Sequence, residues 1–171
     1  LGMEVALFDE EGEAVEQGEV GEIYVKGLTL CEGYYKNEKA TEEAFKDGWL
    51  GLGDMAEQDE EGFYYLVDRK QDMILSGAIN VYPAEIEEVL YEHPNIKEAA
   101  VIGTKDDKWG EVPVAIIVPE KGKSVTEEEM QEFCSERLAR YKLPKYYYFR
   151  DESLPRSLQG KVLKFKLREA Y

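Results

Sequence analysis

The sequence predicts an α+β fold in two parts: a β-rich, barrel-like subdomain over residues 1–67, then a compact α+β module over residues 73–171 whose short sheet is flanked by helices. Three observations carry that expectation. Up to Val67 the apolar residues fall in short runs separated by tight-turn composition, such as Asp9-Glu10-Glu11-Gly12 and Asp59-Glu60-Glu61-Gly62. From Met73 onward, continuous apolar runs alternate with helix-period stripes. Between the two lies Asp68-Arg69-Lys70-Gln71-Asp72, with no apolar residue to bury, which is the composition of a joint between ordered halves. A solvated surface turn has the same composition.

Met3 to Phe8 alternates weakly and reads as a strand, and Glu22 to Lys26 as a second one after Gly18 and Gly21. Asn37 to Phe45 reads as a short helix with Asn37 as its cap and Asp47-Gly48 as its stop. Trp49 to Gln58 and Phe63 to Val67 are the two arms of a hairpin. Beyond the joint, Met73-Ile74-Leu75 leads through Ser76-Gly77-Ala78 to a strand-like Ile79-Asn80-Val81. Pro83 takes a first-turn helix position, and Ile86, Val89 and Leu90 stripe a helix that ends near His93-Pro94. Ala99 to Gly103 and Val112 to Val118 are uninterrupted apolar runs, expected as buried strands. Thr126 and Glu129 form a capping-box pair, and Met130, Phe133, Cys134 and Leu138 line one face of the helix that follows. Tyr146 to Arg150 reads as a third strand. The chain starts at Leu1 and runs straight into a strand pattern, so a piece of a longer protein is expected, with upstream strands completing the β-rich part.

With 171 residues and 43% apolar content, the chain can bury a real core. No apolar run reaches the length of a membrane span, no signal peptide is evident, and Cys31 and Cys134 stand far apart. A reducing, cytoplasmic setting is the expectation. A single histidine, His93, argues against zinc centres and against Ser-His or Cys-His catalytic pairs, so no metal site is expected. The net charge of −16 argues against nucleic acid as a partner. Its distribution is uneven: residues 1–136 carry 34 acidic and 11 basic side chains (−23), whereas residues 137–171 carry 3 acidic and 10 basic (+7). Such a tail offers a local field for an anionic ligand such as a nucleotide, although a lysine-rich solvated face gives the same count.

The last element, Leu154-Pro155-Arg156-Ser157-Leu158-Gln159-Gly160-Lys161, sets a lysine directly after a glycine on a loop. An ammonium so placed can screen charge that builds when a carboxylate attacks a phosphate, but Gly-Lys alone is a weak signal. The order of segments is not weak. Gly48-Trp49 with Gly53-Asp54, Asp68-Arg69-Lys70-Gln71-Asp72-Met73-Ile74, Ser76-Gly77, Asn80 to Glu87, Trp109 to Pro113, Tyr141 to Pro144 and Leu154 to Lys161 follow one another at one set of spacings. Together they resemble the adenylate-forming enzymes, and within them the AMP-forming acid–CoA ligases (acyl-CoA synthetases). The resemblance runs the whole chain but covers only the end of such an enzyme's large N-terminal domain (1–67), the hinge (68–72) and the small C-terminal lid domain (73–171).

The resemblance implies a two-step reaction in which a carboxylic acid attacks the α-phosphate of Mg-ATP and CoA then takes the acyl group from the adenylate. It also assigns roles: Asp54 to the ribose hydroxyls, Arg69 to a second nucleotide contact, Gln71 to the hinge, Gly77 to the passage of the CoA pantetheine arm, and Lys161 to the adenylation step. Mg2+ would be held mainly by the part upstream. Four positions depart from the family pattern: Leu52 for a threonine, Asp68 for a glycine, Ala78 for the second of two glycines, and Ser157-Leu158-Gln159 for a threonine-containing run. The family's phosphate loop and acyl pocket lie upstream of Leu1, so these 171 residues alone are expected not to turn over. Two alternatives stay open here: an adenylation domain loading a carrier protein, or a luciferase-like relative, and a non-catalytic interaction module derived from the lid.

Overall fold

The structure, a computed structural model, describes residues 2–171. The chain divides into two compact units, Leu1–Gln71 and Asp72–Tyr171.

The first unit is a curled antiparallel sheet. Its strands are β1 (Met3–Phe8), β2 (Gly21–Gly27), β3 (Phe45–Lys46), β4 (Trp49–Gln58) and β5 (Tyr64–Arg69), in the order β1-β2-β4-β3 with β5 also on β4. One helix, α1 (Glu38–Ala44), precedes β3, and the Asn37 carboxamide oxygen accepts from the Ala40 N–H at 3.2 Å, as the cap expectation requires. The expected helix stop is in fact a hairpin turn. Asp47 and Gly48 both have positive φ (51° and 83°), the backbone of a two-residue turn whose twist matches its strands, and it joins β3 to β4. The core of this unit is thin: Leu7, Ile23 and Ala56 cluster with Val15 and Tyr64 packed against them.

In the second unit, β6 (Ile74–Ser76) and β7 (Ile79–Val81) form a small hairpin before helix α2 (Pro83–Tyr91). The two apolar runs become the long antiparallel pair β8 (Ile96–Asp106) and β9 (Gly110–Pro119). Helix α3 (Glu127–Ser135) carries the expected capping box between Thr126 and Glu129. Strand β10 (Tyr146–Phe149) lies parallel to β9, and helix α4 (Lys164–Ala170) closes the chain.

Burial on both faces explains why β8 and β9 lack polar alternation. Ala99, Val101, Ala115 and Ile117 point to one side, into a cluster with Ile86 and Leu90 of α2 and Met130 and Cys134 of α3. Their neighbours Ala100, Ile102, Val114, Ile116 and Val118 point to the other side, where Leu154 and Leu167 cover them. His93 is buried and structural: its ring meets Phe133 edge-on at 4.9 Å, and its Nε2 lies 3.2 Å from Glu129. No helix among the described residues is long and apolar enough to cross a membrane.

Candidate functional site

Asp54 and Arg69 are brought together. They sit opposite each other on β4 and β5, next to a register shift at Met55/Ala56, and a bulge of this kind re-aims the side chains beside it. Arg69 Nε donates to Asp54 Oδ1 at 2.9 Å, with the carboxylate a quarter exposed. That contact is made through Oδ1, and the second carboxylate oxygen is chemically a suitable acceptor for a hydroxyl. Gly53, immediately before, has φ +71°, a conformation that a side chain would strain.

Strand β5 runs two residues further than expected, so Asp68 and Arg69 belong to the sheet, and Lys70–Asp72 forms a single 3-10 turn. Gln71 lies at its middle and is exposed. Its neighbours are each held within their own unit. Lys70 Nζ pairs with Glu22 Oε2 at 2.6 Å in the first, and this hydrogen bond raises the Lys70 pKa above the ordinary lysine value. Asp72 Oδ1 pairs with Arg168 at 2.6 Å in the second. Both carboxylates are largely buried.

Gly77 forms the exposed turn between β6 and β7 with φ +68°. Its N–H donates to the Trp109 carbonyl at 2.6 Å, and a Cβ built there would meet the Trp109 ring at 3.3 Å. Two of the quoted segments, Ser76-Gly77 and Trp109 to Pro113, thus meet in space. Glu111 accepts from the Leu75 N–H at 3.2 Å and fixes the same corner. Two further segments are joined by Lys142, whose ammonium reaches both oxygens of Glu85 at 2.6 and 2.7 Å.

Lys161 stands on a separate turn of the second unit. The chain crosses itself at the Arg156↔Val162 bridge, the Gly160 N–H donates to the Ser157 carbonyl at 2.9 Å, and Gly160 has φ +84°. The Ser157 hydroxyl braces this turn, accepting from the N–H groups of Gln159 and Lys161, both at 3.3 Å. The Lys161 side chain is exposed. Seven of the ten basic side chains in residues 137–171 are in ion pairs with carboxylates. Lys161 has no such partner among the described residues. Most of the basic tail is therefore neutralised locally, and the charge left over includes this lysine.

Sequence reasoning missed Glu98. It lies on β8 and is only 7% exposed, a lone carboxylate at the head of an apolar run, and that interruption was the available signal. Burial pushes its carboxyl up, but hydrogen bonds from Arg156 and Ser153 outweigh this and hold it below the usual glutamate range.

Residues 85–161 match the model of the AMP-binding enzyme C-terminal domain. Residues 85–161 thus belong to the AMP-binding enzyme C-terminal domain family. A 2-succinylbenzoate–CoA ligase from Bacillus cytotoxicus is 50% identical over 161 residues, which is 94% of this chain and 33% of that protein. The o-succinylbenzoate CoA synthetase (MenE) of Bacillus subtilis, solved with the acyl-adenylate OSB-AMP, superposes with a TM-score of 0.89 at 42% identity, over 99% of this chain and 34% of that one. ATP-bound MatB from Rhodopseudomonas palustris superposes with a TM-score of 0.92 at 35% identity, over the whole of this chain and 34% of that one. The chain thus spans about a third of the length of the relatives it matches.

Proposed function

We propose that this chain is the hinge and lid portion of an ATP-dependent, AMP-forming acid–CoA ligase. In the first half-reaction a substrate carboxylate oxygen attacks the α-phosphorus of ATP, the bond to the β-phosphate bridging oxygen breaks, and pyrophosphate leaves. In the second, the sulfur of CoA attacks the acyl carbon, its proton goes to solvent, and AMP leaves. The names of the relatives, at about half identity, support 2-succinylbenzoate as the acid to test first.

Within this reading the Asp54 carboxylate accepts hydrogen bonds from the ribose diol, and Arg69, paired with its Oδ1, holds its orientation and makes a second nucleotide contact. Lys161 supplies positive charge to the transition state of the first step. Gly77 keeps a side chain out of the path of the pantetheine arm. Gln71 absorbs the change of torsion between the two steps, which the ion pairs on Lys70 and Asp72 support by fixing the residues on either side. Mg2+, when bound with ATP, supplies charge neutralisation at the phosphates, and no acid cluster of this chain is assigned to it.

The observation that carries the proposal is the division of labour in the second unit, where an exposed glycine turn and an exposed lysine turn lie on separate loops of one body. The test uses the full-length enzyme and follows each half-reaction separately. Lys161→Ala is expected to slow pyrophosphate release by roughly 100- to 1000-fold, the scale of removing one charge-stabilising donor. It should leave thioester formation from preformed acyl-adenylate nearly unchanged. Equal losses in both steps would overturn the proposal, as would robust turnover by residues 1–171 alone.

A further inference from the structure

A lysine on an exposed turn is a poor catalytic group unless something fixes the turn. A surface loop held by backbone turns alone samples many positions, and a displacement of about 1 Å in a reacting group can cost about 100-fold in rate. The turn that carries Lys161 has more than backbone turns to hold it. At its base, Leu154 and Val162 pack into the apolar cluster beneath β8 and β9. At its crown, Arg156 bridges two anchors at once. Its Nη2 and Nε donate to Glu98 Oε2 at 2.8 and 3.3 Å, and its Nη1 donates to the carbonyl of Gly160 at 2.7 Å.

The second of those contacts ends on the residue next to Lys161. Glu98 in turn takes hydrogen bonds from the Ser153 side chain and the Leu154 backbone, so one buried carboxylate gathers the approach to the turn, its stem and its tip. The carboxylate comes from β8, a strand buried on both faces. A planar guanidinium can hold two acceptors in fixed directions, whereas an ammonium offers a single point.

We propose that Glu98 and Arg156 are positioning residues for the adenylation step, presetting the backbone of Gly160 so that Lys161 is aimed before ATP binds. This rests on the role proposed above for Lys161. Neither residue touches the reacting atoms. Their effect is confined to the half-reaction that uses Lys161, which separates positioning from general structural support.

In the full-length enzyme, Glu98→Gln and Arg156→Lys are assayed beside Lys161→Ala in both half-reactions, with melting followed for each. Glu98→Gln is expected to slow pyrophosphate release about 10- to 100-fold. Thioester formation from preformed adenylate is expected to stay within about twofold, because the Gly77 turn is untouched. Arg156→Lys keeps the charge opposite Glu98 but loses the fork, and should fall between wild type and Glu98→Gln. If Glu98→Gln does not fold, the half-exposed Arg156 site carries the test through Arg156→Lys and Arg156→Gln. Parallel losses in both half-reactions, or a full-rate first step in the Arg156 variants, would overturn the inference. A Lys161→Ala enzyme that is unimpaired would instead overturn the reading on which it rests, so the two failures are distinguishable.

Discussion

The two units place their candidate residues by opposite means. In the first, Asp54 and Arg69 meet because sheet register sets them opposite each other, in a unit whose buried cluster among the described residues is small, Leu7, Ile23 and Ala56. In the second, Lys161 rides on a turn outside the sheet, and its placement comes from contacts dedicated to it, above strands buried on both faces. A register-set pair is positioned at no extra cost but is only as firm as its sheet. A turn-borne group can be placed far from any strand, provided that buried anchors hold the turn.

The largest expected effect tests the difference in cores. Ile117 is fully buried, so Ile117→Ala should destabilise the second unit by about 2–5 kcal/mol. Ile23 sits in the thin cluster of the first unit, which can relax around the loss, so Ile23→Ala should cost about 2 kcal/mol or less. Each unit contains one tryptophan, Trp49 in the first and Trp109 in the second, so denaturant titrations of single-tryptophan variants report the units separately. A larger shift from Ile23→Ala than from Ile117→Ala would break the comparison.

Gly77→Ala probes the glycine turn in the firmer unit. At φ +68° the left-handed conformation costs a side chain about 1–2 kcal/mol, and the new methyl would sit 3.3 Å from the Trp109 ring. Destabilisation on that scale, with altered Trp109 fluorescence, is expected. A silent substitution would show that the β6–β7 turn gives way easily.

What could be read from the sequence was local. The Thr126–Glu129 capping box, the Asn37 cap and Pro83 at a helix start each announce themselves within four residues, and all three appear as expected. The continuous apolar runs announced buried strands because two-sided burial removes polar alternation. What escaped was non-local. Glu98 and Arg156 are 58 residues apart, and Lys142 and Glu85 are 57 apart, separations across which no periodicity carries information. Asp47-Gly48 was legible as a break but not as a hairpin turn, since the two-residue β3 is too short to show alternation. The order of motifs named Asp54 and Arg69 separately, and it took the strand pairing to unite them.

A pH titration sharpens the comparison further. Burial raises the Glu98 carboxyl, but the hydrogen bonds from Arg156 and Ser153 leave it net lowered. A group whose folded pKa is depressed contributes stability that is complete above its unfolded value, about 4.3 for glutamate, and that is lost as pH falls through the folded value. The transition reported by Trp109 should therefore weaken on acidification below about pH 4.3, and Glu98→Gln should flatten that part of the profile. Glu98→Gln should leave the acid response reported by Trp49 unchanged. Identical Trp109 profiles for wild type and Glu98→Gln would show that Glu98 does not anchor the second unit.

The smallest effect concerns a helix end. In Thr126→Ala the Glu129 N–H loses its 3.2 Å acceptor, and the reciprocal bond from the Thr126 N–H to the Glu129 carboxylate loses its partner geometry. The cost should be about 1 kcal/mol, read as a shift in the Trp109 transition, with Thr126→Ser restoring most of it. Because α3 packs Met130 and Cys134 against the face of the sheet opposite the Lys161 turn, this loss should not change the ratio of the two half-reaction rates in the full-length enzyme. A changed ratio would mean that the turn responds to the stability of the whole unit, and the dedicated role of Arg156 would then have to be shared with the core.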